Sequence, residues 1–248
     1  MQQGTAPLFI PDSGKVVDFC SYPVESISGL DGLVAIGANF LPGTLLTAYR
    51  CGLFPWFRYK GFAYWYCPDP RMVLMPSDLH ISGTMQQVLR RELFKVTCDQ
   101  AFVEVMKACA SMRRKHEDST WIDQEYIEAY GRMHRQGFAH SFECWQEGKL
   151  VGGLYGLGMG RIFFGESMFS LEKNASKTAF IQAVKFLEKS GFLLIDCQVP
   201  SAHLQSLGAV PISKKDYLSK LNSLVAPGPL DGQLWAGLFK PLKQDEMV

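Results

Sequence analysis

The sequence predicts a mixed α+β protein in two parts. A small loop-rich N-terminal domain covers residues 1–70, and a larger domain over residues 71–248 is built on a mixed sheet with flanking helices. Three observations lead there. The 248 residues are 47% apolar, enough for a sizeable core in one large domain with a smaller companion. The first seventy residues are rich in Pro, Gly and aromatics with little periodicity, a composition that ends near Pro70. Beyond it, three strand patterns joined by short turns are followed by a helix and then one more strand.

The elements follow in order. Pro42 opens a helix through LLTAYRCG, which Gly52 stops. PWF and YWYCPDPR supply rings and prolines for a rigid module packed by aromatics. MVLMP reads as a short strand, Ser82 caps a helix through TMQQVLRR, and LFKVTCD is the next strand. Asp99 begins the helix AFVEVMKACASM, whose apolar positions 102, 105, 106 and 109 share one side. After the polar loop RRKHEDS, Asp123 caps a helix that ends at Gly137. A meander follows: FAHSFECW, a turn at Glu147 and Gly148, KLVGGLYG, a turn at Gly158 to Gly160, and RIFFGES. Asn174 or Ser176 caps KTAFIQAVKFLEKS, closed by Gly191. LLIDCQ is a buried strand before Pro200, a short helix ends at Gly208, and Ser213 with Asp216 makes a capping box for DYLSKLNSL. This order suits an acyltransferase-like sheet of the Gcn5-related type.

Composition excludes several functions. A formal net charge of +1 gives no overall field to bind phosphate, so any nucleic-acid contact rests on a local patch. Seven cysteines without a C-x-x-C pair read as buried thiols in a reducing compartment. The five histidines form no zinc pattern, and no apolar run is long enough to span a bilayer. With no signal-like N-terminus, the reading is a soluble cytoplasmic protein.

The densest chemistry lies in RIFFGESMFS. Alternation puts Phe164 and Glu166 on one face of the strand and Phe163 and Gly165 on the other. Glu166 among Phe163, Phe164, Met168 and Phe169 must find a cation or donors, or take a proton. Asp196 and Gln198 share a face at the end of their strand, either bonding their own connecting loop or forming part of a site. The glycines of GGLYGLGMG lie inside a hairpin, not before a helix, so they do not make a phosphate loop. Trp56 and Trp121 are candidate stacking platforms. Arg90 with Arg91, and Arg113 with Arg114 and Lys115, are the strongest basic clusters, and Lys214 with Lys215 is another.

GLVAIGANFLPGTLLTAYRCGLFPWF, YWYCPDPR, LHIS, STWI, LVGGLYG, FFGESMFS, NASKTA, LIDCQV and SLGA occur in this order from about residue 29 to about residue 235. Together they resemble the leucyl/phenylalanyl-tRNA–protein transferase family. The resemblance implies an enzyme that takes Leu or Phe, and Met less well, from aminoacyl-tRNA. It joins the amino acid to the N-terminal Arg or Lys of a protein, which marks that protein for degradation. It also implies that neither metal nor coenzyme A is needed. By motif, Glu166, Asp196 and Gln198 fall in the active site, and Phe163, with Met168 and Phe164 beside it, in the amino-acid pocket. Trp56 and Trp121 fall where the terminal adenosine of the tRNA is held. The helix after LHIS, basic in the family, carries Gly83, Gln86 and Gln87 here, which leaves Arg90 and Arg91, with Arg113 and Arg114, as candidates for the tRNA backbone.

The chemistry implied is modest. Aminolysis of an activated ester runs downhill, and at pH 7 roughly a tenth of a protein α-amine is already neutral. Positioning, a proton acceptor and a donor to the developing oxyanion suffice. Asp196 is expected to accept a hydrogen bond from the attacking amine, directly or through Gln198, as base or as orienting group. Two other readings stand beside this one: an acetyl-coenzyme A-dependent N-acyltransferase, against which the missing Q/R-x-x-G-x-G/A loop counts, and a non-catalytic binder of basic protein N-termini.

Overall fold

A computed structural model of the chain describes residues 6–22, 30–112, 122–225, 235 and 239–241. The N-terminal part is a four-stranded sheet, not a loop-rich module. β1 (Leu8–Ile10), β2 (Leu33–Gly37), β3 (Phe54–Tyr59) and β4 (Phe62–Tyr66) lie in the order β1-β2-β4-β3. The segments PWF and YWY that looked like ring-filled loops are strands, because aromatic side chains fit a pleated, half-buried surface. Lys60 and Gly61 turn the β3–β4 hairpin, both with positive φ, as the favoured two-residue hairpin turn requires. α1 (Pro42–Arg50) opens on its proline as expected.

Cys51, just after α1, is bonded to Cys20, with Cα atoms 5.9 Å apart. The expectation of buried thiols throughout therefore fails for this pair, whose 31-residue separation hides its proximity. Cys67, Cys98, Cys109 and Cys144 are buried thiols outside any disulfide, and Cys197 is a half-buried one.

The larger sheet holds β5 (Arg71–Leu74), β6 (Lys95–Cys98), β7 (Ala139–Gln146), β8 (Lys149–Met159), β9 (Ile162–Ser170), β10 (Leu194–Gln198) and β11 (Val210–Ile212). Their order is β11-β5-β10-β9-β8-β7-β6. β10 runs parallel to β9, and every other neighbouring pair is antiparallel. The helices are α2 (Gly83–Arg90), α3 (Phe102–Ser111), α4 (Gln124–Arg135), α5 (Ala175–Lys189), α6 (Ala202–Gln205) and α7 (Lys214–Leu224).

Three caps stand where the sequence put them. Ser82 accepts from the Met85 amide, Asp123 from that of Tyr126 and Ser213 from that of Asp216. Asp99 does not open α3. It sits at φ +56 and its carboxylate takes the Ser141 amide at 2.9 Å and the His140 ring at 2.7 Å, so Ala101 precedes the helix without a side-chain cap. Asn174 precedes α5 but makes no capping bond, while the Ser176 amide is taken by Ser170 Oγ. β8 runs through Gly158, and the turn falls at Gly160 and Arg161.

Alternation across the sheet divides the core. Phe164, Tyr155 and Leu157 pack with α3, α4 and the N-terminal part, whereas Phe163, Leu154 and Phe142 pack with α2 and α5. Among the described residues no helix is long and apolar enough to cross a membrane.

Candidate active site

Three strand irregularities meet at one cleft. On β9, Gly165 opposes Gly156 and Ser167 opposes Tyr155, which leaves Glu166 without a partner across the ladder. On β10, Asp196 opposes Val73 and Gln198 opposes Met72, which leaves out Cys197. On β3, Pro55 opposes Trp65 and Phe57 opposes Tyr64, which leaves out Trp56. Each is a bulge, where an extra residue bends the strand and re-aims its side chain. The parallel pairing of β10 with β9 ends where Asp196 opposes Phe164. Trp56, Glu166 and Cys197 all line the cleft, whose volume is about 290 Å³.

The apolar part of the cleft is formed by Leu154, Phe163, Met168, Phe180 and Ile195. Phe163 and Met168, expected in the amino-acid pocket, are among the residues that line this cleft. Phe164 is not: it faces the opposite core, fully buried, with its ring 5.1 Å from that of Tyr49.

Glu166 is 8% exposed and ringed by donors. Its Oε1 accepts from the Tyr49 hydroxyl at 2.6 Å and from Gln198 Nε2 at 2.9 Å. Its Oε2 accepts from Tyr130 at 3.2 Å and lies 3.4 Å from the Tyr126 hydroxyl. The Tyr49 and Tyr130 hydroxyls also lie within hydrogen-bond distance of each other, so their two protons are shared between this contact and the carboxylate. Burial pushes the Glu166 carboxyl up to about 7, against the pull of the Tyr49 and Tyr130 bonds. Burial and the neighbouring carboxylate hold the Tyr49 and Tyr130 phenols well above their ordinary range, so they serve as donors. Sequence reasoning missed this cage. Tyr126 and Tyr130 sit four apart on one helix face and were the available signal; Tyr49, 117 positions from Glu166, gave none.

Asp196 does not reach the cleft. It is fully buried, and both oxygens are engaged. Oδ1 accepts from Arg71 Nε at 2.8 Å and from the Gln198 amide at 2.9 Å; Oδ2 accepts from Arg71 Nη2 at 2.6 Å and from the Tyr217 hydroxyl at 2.8 Å. Arg71 is equally buried, lies over the rings of Phe54 and Tyr217, and donates to the Gly52 carbonyl. Burial alone would lower its pKa, but Asp196 outweighs burial and raises it, so the guanidinium stays charged. An Asp196 carboxylate so occupied cannot meet an incoming amine directly, so of the two expected routes only the one through Gln198 is open to it. What it does is bind the amide of Gln198, whose φ of +63 is a left-handed conformation rarely adopted outside glycine. The Gln198 side chain lines the cleft. Gln198 Nε2 donates to Glu166, and the amide oxygen is left for another partner.

Trp56 is half-buried at the cleft wall, against Tyr66. Arg90 and Arg91 stand exposed at the end of α2, and neither borders the cleft. Trp121, Arg113 and Arg114 lie outside the described residues.

The cleft joins an apolar pocket to a caged carboxylate and a pinned amide, and sequence comparison gives the class of the chain as aminoacyltransferase. The family model for leucyl/phenylalanyl-tRNA protein transferase matches residues 73–222, and that for its N-terminal domain matches residues 38–69. Leucyl/phenylalanyl-tRNA–protein transferase of Syntrophobacter fumaroxidans is 48% identical over 87% of this chain and 92% of its own. That of Pseudomonas fluorescens is 50% identical over 77% and 85%. The chain belongs to the leucyl/phenylalanyl-tRNA–protein transferase family. Among solved structures, a GCN5-related N-acetyltransferase from Kribbella flavida is similar at TM-score 0.36 and 13% identity, covering 72% of this chain and 64% of that one. L-PGS from Bacillus licheniformis is similar at TM-score 0.39 and 12% identity, covering 84% and 65%.

Proposed function

We propose that this protein moves Leu or Phe, and Met less well, from aminoacyl-tRNA to the N-terminal Arg or Lys of proteins, marking them for degradation inside the cell. The observation that carries the reading is the Gln198–Glu166 bond at 2.9 Å beside the Phe163 and Met168 pocket. The apolar pocket takes the amino-acid side chain. It rejects charged side chains by desolvation and separates aliphatic sizes only weakly, by about 1–3 kcal/mol per methylene. Glu166 draws the cationic side chain of the acceptor, and that charge in turn keeps the carboxyl ionised. The Gln198 oxygen accepts a hydrogen bond from the acceptor α-amine and aligns it on the ester carbonyl carbon. The new C–N bond forms, the ester C–O bond breaks, and the amine proton ends on the ribose hydroxyl that leaves. Asp196 acts through Gln198 as a positioning residue, anchored by Arg71. Trp56, with Trp121, stacks on the terminal adenosine, and Arg90, Arg91, Arg113 and Arg114 meet the tRNA backbone.

The test mixes the protein with radiolabelled Leu-tRNA and an Arg-initiated peptide. Label in the peptide is expected, and a Glu-initiated peptide should stay unlabelled. Labelling of both peptides alike, or of neither, would overturn the reading.

A further inference from the structure

Arg58 stands two residues beyond Trp56 on β3 and reaches across to the start of α4. Its Nη1 lies 2.6 Å from Asp123 Oδ2 and its Nη2 2.7 Å from Glu125 Oε2, while Nη2 also donates to the Gly61 carbonyl at 3.2 Å. The guanidinium sits 5.6 Å from the centre of the Phe40 ring, which packs edge-on against Tyr126. Asp123 has a second task. Its Oδ1 accepts from the Tyr126 amide at 2.9 Å, which caps α4. Tyr126 then donates to the carbonyl of Pro55, next to Trp56, and reaches Glu166. β3, which carries Trp56 to the cleft, and α4, whose tyrosines bond the cleft residue Glu166 from behind, are therefore tied at two points, one of them ionic.

We propose that Arg58 is a positioning residue that clasps β3 to the start of α4, fixes the spacing between the Trp56 wall and the Glu166 wall, and so sets the affinity for the aminoacyl end of the tRNA. The inference rests on reading Trp56 as the platform for that end. Asp123 and Glu125 are about half exposed, so water screens the pairs and their loss costs the fold little. Spacing across the cleft is what suffers. Its two acids come from a single helix turn, which fixes the guanidinium on both of its terminal nitrogens.

The experiment measures Phe-tRNA binding by filter retention and transfer to an Arg-initiated peptide, for the full chain and three variants. Arg58→Ala is expected to raise Kd and KM for Phe-tRNA about tenfold with kcat within about twofold. The pair Asp123→Asn and Glu125→Gln should give the same rise, because Asn still caps the helix while both ionic partners are gone. Combining all three changes should weaken binding no further than either set alone. Arg58 in direct contact with tRNA phosphate would give the opposite sign: neutralising the two acids would tighten binding. Tighter binding, additive losses, or a kcat that falls in step with binding overturns the clasp. Loss of transfer by the unaltered protein would sink the proposed function instead, while the binding constants still decide the role of Arg58.

Discussion

Replacing Asp196 by Ala is expected to act on stability before chemistry. The change leaves the Arg71 guanidinium without a counter-ion where no solvent reaches, and takes an acceptor from Tyr217 and from the Gln198 amide. Stranding one member of a buried ion pair costs about 3–5 kcal/mol. In a chain of this length each kcal/mol lowers Tm by about 2–4 °C, so calorimetry should find melting about 6–20 °C lower. Removing both charges, with Arg71→Met and Asp196→Leu, leaves apolar groups against the Phe54 and Tyr217 rings. Melting should then return to within about 4 °C of the unaltered protein. Transfer should not return with it, because the carboxylate that takes the Gln198 amide at φ +63 is then gone. If Asp196→Ala melts within about 2 °C of the unaltered protein and still loses transfer, the reasoning fails and Asp196 belongs to the chemistry.

Glu166 ties stability to pH. Its carboxyl stands at about 7 in the fold against an ordinary value of 4.5, so the fold holds the proton more tightly than the open chain. This contribution is fully present below about pH 4.5 and is lost as pH rises through about 7, an effect of about 2–4 kcal/mol. Urea melts of Glu166→Gln should lack that decline, and an identical pH slope in both proteins would count against it. Binding of an Arg-initiated peptide should strengthen over the same rise in pH, read by calorimetric titration. Trp56→Ala should weaken Leu-tRNA binding by about 1–3 kcal/mol with the fold intact, and unchanged filter retention would move the adenosine elsewhere. In Gly156→Ala the new methyl would lie 2.2 Å from the Phe164 carbonyl oxygen and 2.7 Å from the Phe163 ring. The β8–β9 pair should open there at a cost of about 1–3 kcal/mol or more, measured by urea midpoint.

What the sequence disclosed was what is encoded locally. Ser82, Asp123 and Ser213 were legible as caps because each side chain bonds an amide three residues on. The β7–β8–β9 meander was legible because Glu147 and Gly148 make a short turn between apolar runs. The N-terminal strands were not, since the extra residue at Trp56 breaks the two-residue period of a short aromatic run. β11 is three residues with a central proline, below what a pattern reveals. At the site, Glu166, Gln198, Phe163 and Met168 could be read because they sit in two short segments. The partners that decide their roles could not: Arg71 meets Asp196 across 125 positions and Tyr49 meets Glu166 across 117. Phe164 shows the same limit, since alternation told its face from that of Phe163 but not which face opens to a cleft.

The opening at the heart of this protein depends on chain length at three points more than on which side chains occupy them. Deleting position 56, 166 or 197 is expected to let an ordinary ladder run on and close the gap, whereas exchanging the side chain keeps the extra residue and changes the lining and, at Glu166, the cage behind it. Single-residue deletions and substitutions at these three sites should therefore part company: the first abolish room for any substrate, the second change which substrate fits.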